Sequence, residues 1–252
     1  MRGWAIIVAA LALALMPAAG GRAAAGDAVQ AVPDGQTLAM ADGATVRLAA
    51  IAVPGVDATP RGADARLAEA ARRRIAALAA AGPVTLAAAR ADRWGRVVAQ
   101  VTAADGTWLQ RALVGDGLAR VAPTPDDGPA VPGLYAAEAA ARAARRGLWA
   151  VEFYRVRTPA EAGGLLDRFA VVEGTVREAK TVSGRALLFF ADGGGRGFTV
   201  TIAPASMKRF RGAGLAPARY AGRTVRVRGW VGEFRGPQIE VTHPAQIEVL
   251  DP

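Results

Sequence analysis

The chain has 252 residues, enough for one large domain or two small ones. Alanine inflates its 52% hydrophobic content, aromatics make up only 6%, and a charged fraction of 21% argues against wholesale disorder. The absence of cysteine excludes disulfides, thiolate metal sites, a cysteine nucleophile and a lipid-modified N-terminal cysteine, while a formal charge of +9 favours polyanions or anionic surfaces as partners.

The first residues have the parts of an export leader, residues 1–25. Met1-Arg2 is a basic start, Trp4 to Met16 an apolar run, and Ala23-Ala24-Ala25 an Ala-x-Ala processing site. The run falls short of the roughly 20 residues that a bilayer span needs, so a cleaved leader is favoured over a retained anchor. A mature chain starting near Gly26, periplasmic or secreted and without a membrane span, is the expectation. Losing Arg2 and Arg22 lowers the net charge by two and leaves it basic. Lysine occurs only at Lys180 and Lys208, so arginine carries nearly all of the positive charge.

Short β-compatible segments follow, Thr37 to Ala41 and Thr45 to Ala50, separated by the turn Asp42-Gly43. Within Ala63 to Gly82, Leu67, Ala71, Ile75 and Leu78 recur at helical spacing, and Gly82 is a C-terminal stop. Segments Val84 to Ala89 and Val97 to Thr102 flank "RADRWGR" and predict a hairpin. A helix over Leu109 to Gly115, a proline-rich loop from Pro123 to Gly133 and an arginine-studded helix from Leu134 to Arg146, stopped at Gly147, complete the first half. From Phe169 onward the pattern is almost wholly β, in five segments with a short helix over Ala205 to Phe210 before the fourth. That order suggests an OB-type barrel; an immunoglobulin-like sandwich would want about seven strands. The division predicted is 26–150 for the first domain, 151–165 for a linker and 166–252 for the second.

Four stretches together resemble the thermonuclease, or staphylococcal nuclease-like, family: "DGQTLAMADGATVRLAAIAVP" (Asp34 to Pro54), "DRWGRVVAQV" (Asp92 to Val101), "LQRALVGDGLARV" (Leu109 to Val121) and "LYAAEAAARAARRGLW" (Leu134 to Trp149). The resemblance runs from about Val32 to Trp149. It implies a β-rich α+β fold, an OB-type five-stranded barrel with three helices, followed here by a second OB-type β-barrel that rests on pattern alone. It also implies calcium-assisted hydrolysis of phosphodiesters in DNA or RNA. That chemistry needs oxygen ligands for a hard cation, a general base for water, and guanidinium groups on the phosphate.

Set against the family's motif, the first calcium-binding aspartate position is Gln36, the second is Ala52, and the general-base glutamate position is Gly55. The two phosphate-contacting arginines are retained as Arg47 and Arg96. An amide ligates calcium weakly, and a methyl group or a hydrogen neither ligates nor accepts a proton. Losing a general base alone removes about 10²–10⁴ in rate. Hydrolysis by the family's mechanism is therefore expected to be absent, no cofactor is expected, and the protein reads as a pseudoenzyme. Relocated acids are the alternative, with Asp34, Asp57 and Asp64 nearby, but Asp57 could stand in only for the base and nothing restores Ala52 without reversing strand faces.

Arg47 and Arg96 then read as an anion clamp for nucleic acid or another polyanion, with an envelope protein as the other partner class. Arg226, Arg228 and Trp230, near Arg223, Phe234 and Arg235, read two ways: a basic, aromatic face on which single strands stack, or barrel core. Core is the more economical reading, because Phe234 lies past a glycine that shifts register. The runs Ala71 to Arg74 and Arg142 to Arg146 read as solvated helix faces. His243, the single histidine, precedes a proline at a strand end and reads as structural. Asp192 to Phe198 is glycine-rich but lacks the Gly-Lys-Ser/Thr ending of a phosphate loop, and reads as a hairpin tip.

Overall fold

A computed structural model describes residues 27–55, 62–190 and 197–250. The leader, Asp57 and most of the Asp192 to Phe198 stretch lie outside the described residues.

The first half contains β1 (Val29–Asp34), β2 (Thr37–Met40), β3 (Thr45–Leu48), β4 (Ile51–Ala52), α1 (Ala63–Ala79), β5 (Thr85–Ala91), β6 (Val97–Thr102), α2 (Leu109–Gly115), β7 (Arg120–Val121) and α3 (Val131–Ala143). Five strands form a mixed sheet in the order β1-β2-β3-β6-β5, with β3 and β6 parallel, while β4 and β7 pair separately. The period-two pattern buries Val46 and Leu48 on β3 and Ala99 and Val101 on β6. Helix α1 covers them with Ala71, Ile75 and Leu78, three of the four positions that the helical spacing singled out.

The second half contains β8 (Phe169–Thr175), β9 (Glu178–Val182), β10 (Arg185–Phe189), β11 (Thr199–Ile202), α4 (Met207–Gly212), β12 (Thr224–Glu233), β13 (Pro237–Glu240) and β14 (Ile247–Val249). Its sheet runs β14-β12-β13-β11-β10-β9, with β8 also paired to β12. A second core gathers Val172, Leu188, Val200, Ile202, Phe210, Val225, Val227 and Ile239. The fold is thus β-rich α+β, with two sheet-rich halves, each around its own core.

Neither sheet closes into the expected barrel among the described residues. The edges of the first meet at a single bridge, where Asp27 and Val84 exchange backbone hydrogen bonds of 2.9 and 3.0 Å. The β5 edge bulges between Ala87 and Arg90, with Ala88 at φ 51°, and a bulge of this kind interrupts a ladder.

The segment predicted as a linker is packed. It forms 3₁₀ turns at Glu152–Tyr154 and Pro159–Leu165, directly after one at Gly147–Ala150, with Ala162 and Leu165 in the second core. Tyr154 joins Leu67, Ala141, Leu148, Trp149 and Val171 in a third cluster that touches both halves. Gly117 and Gly147 cross so closely there that a Cβ on either would lie 2.2 Å from backbone of the other segment. Both also hold positive φ, 69° and 51°, so the crossing is open to glycine alone.

The halves are locked by a buried ion pair. Arg228 Nη1 on β12 donates to Glu138 Oε2 on α3 at 2.7 Å and to the Val121 carbonyl at 3.2 Å. Arg228 is 0% exposed and Glu138 1%. Glu138 Oε1 accepts from Val121 N at 2.8 Å, and the Arg228 guanidinium stacks 4.2 Å from the Tyr135 ring. Burial pushes the Arg228 guanidinium down, but Glu138 and its neighbours outweigh it and leave it above the ordinary arginine value. The Tyr135 hydroxyl donates to the Ala245 carbonyl, and His243 Nε2 lies 2.8 Å from the Pro123 carbonyl.

Candidate nucleic-acid interface

The stretch Asp34-Gly35-Gln36 is a turn with a packing constraint. Asp34 Oδ1 accepts from Gln36 N at 2.7 Å, the local bond that makes aspartate a turn residue. A Cβ on Gly35 would come within 2.8 Å of the Ala71 and Val53 side chains, so the turn sits flush on α1. The chain then carries Gln36 inward, where it is 1% exposed. Its amide oxygen, assigned from the donors that it faces, accepts from Arg47 Nη2 and Nη1 at 2.9 and 2.5 Å. The residue at the family's first ligand position therefore holds the first phosphate arginine in place.

Ala52 pairs with Arg120 across the β4–β7 ribbon, which puts both side chains on one face. Arg120 is 9% exposed and donates through Nη1 to the Phe169 carbonyl at 2.7 Å. Its guanidinium lies 5.0 Å from the Tyr154 ring and 4.8 Å from the Phe169 ring. Its buried Nε has no acceptor among the described residues. Burial pushes this group down to about 10, with Tyr154 and Glu138 pulling back upward, so it stays cationic at neutral pH. A buried arginine faces the position where the resemblance places a calcium-binding carboxylate.

Arg96 is built by the β5–β6 hairpin. Asp92 Oδ1 accepts from the backbone N–H of Trp94 and Arg96 at 2.9 and 3.0 Å, and Asp92 Oδ2 accepts from Arg96 Nε at 2.8 Å. Burial pushes the Asp92 carboxyl up, but the bonds from Arg96 and Trp94 outweigh it and hold it below the usual carboxylate range. The hairpin presents Trp94, 64% exposed, with the Arg93 and Arg96 guanidiniums 4.1 and 5.0 Å from its ring.

Arg47, Ala52, Gly55, Arg96 and Arg120 all line one cleft of ≈ 1580 Å³. Its opposite wall comes from the second half and includes Arg168, Phe169 and Trp230. Trp230 is 57% exposed and is met edge-on by Phe169, with centroids 6.5 Å apart at 84°. The Arg168 guanidinium lies 4.9 Å from the Phe153 ring. Guanidiniums and aromatic rings from both halves thus line one space, together with Asp64, Asp92, Asp126, Asp167 and Glu240.

The predicted strand face divides. Trp230 looks into the cleft, against the barrel-core reading. Arg228 is interior, spent on Glu138, and Arg226 is 11% exposed at its side chain, with bonds to Glu173 at 2.7 Å and Glu248 at 3.0 Å. Those two arginines are corrected from ligand contacts to structural ion pairs, because their face of β12 packs on α3 and β14. Arg120, Arg168 and Phe169 went unread as site residues. The "LARV" motif offered no sign that Arg120 would line a cleft, and the other two face the cleft only through docking of the second half. Trp94, inside the quoted "DRWGR", was open to reading as an exposed hairpin-tip aromatic.

Calcium does not fit the described residues. None of the three family positions carries a carboxylate, and the Gln36 oxygen is committed to Arg47. Asp34 closes its turn, and Asp64 accepts from the Tyr154 hydroxyl. Among the described residues no group of three or more His, Cys, Asp or Glu side chains is placed to hold a metal. A hard divalent cation needs about six to eight oxygen ligands.

Residues 45–151 match the family model described as staphylococcal nuclease homologue. The chain carries a staphylococcal nuclease-like domain. No curated protein matches the chain. The matched span includes Arg47, Ala52, Gly55 and Arg96 and stops short of the second half that supplies the far wall of the cleft. Among the described residues no helix is long and apolar enough to cross a membrane.

Proposed function

We propose that this nuclease-like protein is exported and binds single-stranded nucleic acid in the cleft without cutting it. The observation that carries the reading is the exchange of charge at one place. Where the resemblance puts two ligand carboxylates there are Gln36, bonded to Arg47, and Ala52, paired with Arg120. With Arg96 these make a cationic floor, and a phosphate needs no metal to offset repulsion there. Exposed Trp94 and Trp230 supply the stacking surfaces that single strands use regardless of sequence. Export rests on the leader-like residues 1–25.

The test is a titration of labelled single-stranded DNA and RNA over a range of salt. Tight binding at low ionic strength should weaken as salt rises. Arg47→Ala and Arg96→Ala should each cost about tenfold in Kd and flatten the salt slope by about 0.7, the share of one phosphate on a single strand. No binding at low salt, or chelator-sensitive cleavage that Arg96→Ala abolishes, would overturn the reading.

A further inference from the structure

The geometry points to a nucleobase pocket on the second half, with Trp230 as its stacking face and Asp167 and Gln238 reading the base edge. This rests on the single-strand reading of the cleft and adds which part of the strand goes where.

Trp230 borders two hollows. One is the arginine-lined cleft, and the other is an adjoining hollow of ≈ 370 Å³ that shares Asp167, Trp230 and Glu240 with the cleft and is completed by Val231, Gly232 and Gln238. That volume is within the range of about 300–1,000 Å³ typical of small-ligand pockets. A Cβ built on Gly232 would meet nothing within 4 Å, so the space beside this strand residue is open. On β12 the flanking Gly229 and Val231 are buried, while the Trp230 indole stands out with its orientation set by the edge-on ring of Phe169. A ring fixed in advance loses little entropy when a base stacks on it.

The two hollows differ in charge. The cleft mixes Arg47, Arg96, Arg120 and Arg168 with Asp64, Asp92 and Asp126 and shares Asp167 and Glu240 with the small hollow, whose own lining holds those two carboxylates and the Gln238 amide but no arginine or lysine. Glu240 is shared with Arg185 at 3.1 Å, but the Asp167 carboxylate takes no hydrogen bond among the described residues. Asp167 is held at φ 58° by its N–H to the Val231 carbonyl at 2.8 Å and by Val231 N to the Arg168 carbonyl at 2.9 Å. Phosphate is repelled from such a hollow, so the part of a strand that enters it is a base. Carboxylates accept hydrogen bonds, which favours the amino groups of cytosine, adenine and guanine. Thymine and uracil would set carbonyl oxygens against Asp167 and Glu240.

Kd values for the full chain with short oligo(dC), oligo(dA), oligo(dT) and a wholly abasic strand, read by fluorescence anisotropy, test this. Oligo(dC) and oligo(dA) should bind about tenfold tighter than oligo(dT) or the abasic strand, within the range for one stacked and hydrogen-bonded base. Trp230→Ala should bring oligo(dC) to the abasic level, with Trp230→Phe intermediate. Asp167→Asn, which tolerates the same backbone conformation, should remove the preference for oligo(dC) over oligo(dT). Equal binding of base-bearing and abasic strands, or full affinity in Trp230→Ala, overturns the pocket and the stacking role of Trp230 while leaving the arginine clamp of the cleft intact. Binding of none of the four strands overturns both.

Discussion

The ion pair between Glu138 and Arg228 is the sharpest quantitative test of how the halves are joined. Both side chains are buried at 1% and 0% exposure, with Nη1 and Oε2 2.7 Å apart. Replacing Glu138 with leucine strands the guanidinium in the interior, leaving it the Val121 carbonyl and a 3.2 Å contact to Glu248. Breaking such a pair from one side costs about 3–5 kcal/mol, and Arg228→Met should cost a similar amount by stranding the carboxylate. For a chain of this size each kcal/mol moves Tm by about 2–4 °C, so each single variant should melt roughly 6–20 °C lower. The double variant leaves the Val121 N–H and carbonyl short of partners and takes from Arg142 the Glu138 carboxylate 3.5 Å away, a loss of about 1–3 kcal/mol. A double-mutant cycle by urea denaturation should therefore show a coupling of at least about 2 kcal/mol, with the double variant more stable than either single. Single variants that lose less than about 1 kcal/mol, or a double variant equal to their sum, would refute the claim that this pair locks the interface.

Other outcomes follow from the same geometry. Burial pushes the His243 imidazole below its ordinary value, although the Pro123 carbonyl and Asp127 act against it. A depressed pKa means that the folded state resists protonation, so stability is full above about pH 6.5 and falls as acid is added. His243→Gln should remove that slope between about pH 6.5 and 5, as measured by denaturant midpoints, and an unchanged slope would refute it. Gly117→Ala forces a Cβ to within 2.2 Å of the Arg146 carbonyl oxygen at a positive φ, so it should lose several-fold in soluble yield or lower Tm by roughly 6 °C or more. A variant that melts like the parent would contradict the crossing. Millimolar calcium should leave Tm unchanged, because a ligand stabilises only the state that binds it, and a clear rise would show a calcium site that these residues do not explain.

Much of the site was legible in the residues themselves. That Gln36, Ala52 and Gly55 stand where the resemblance expects carboxylates is a matter of residue identity, and no folding was needed to see it. The Leu67, Ala71, Ile75 and Leu78 stripe was equally local, since helical period and burial coincide whenever one helix face meets a sheet. What Gln36 does was less accessible. The amide's bond joins the β1–β2 turn to Arg47 on β3, and only the β2–β3 register, with Thr37 opposite Arg47, shows that one holds the other.

For β12, parity was readable and destination was not. Arg226, Arg228 and Trp230 alternate onto one face, as the period of two requires. Along that face the neighbours change from Glu173 and Glu248 to α3 and then to open cleft, so one residue is partly covered, one is buried and one is exposed. By itself, then, the sequence determined that uncharged residues stand where the resemblance expects calcium ligands and which segments would fold as strands and helices, because both depend on residue type and short-range period. Only the tertiary structure decided that two predicted ligand arginines serve as interior ion pairs, that Arg120 faces Ala52, and that Trp230 closes a cleft against Arg47 and Arg96. Those outcomes depend on contacts between residues far apart in the chain, 90 positions for Glu138 and Arg228 and 107 for Val121 and Arg228, and no local pattern encodes which face of one sheet another module will cover.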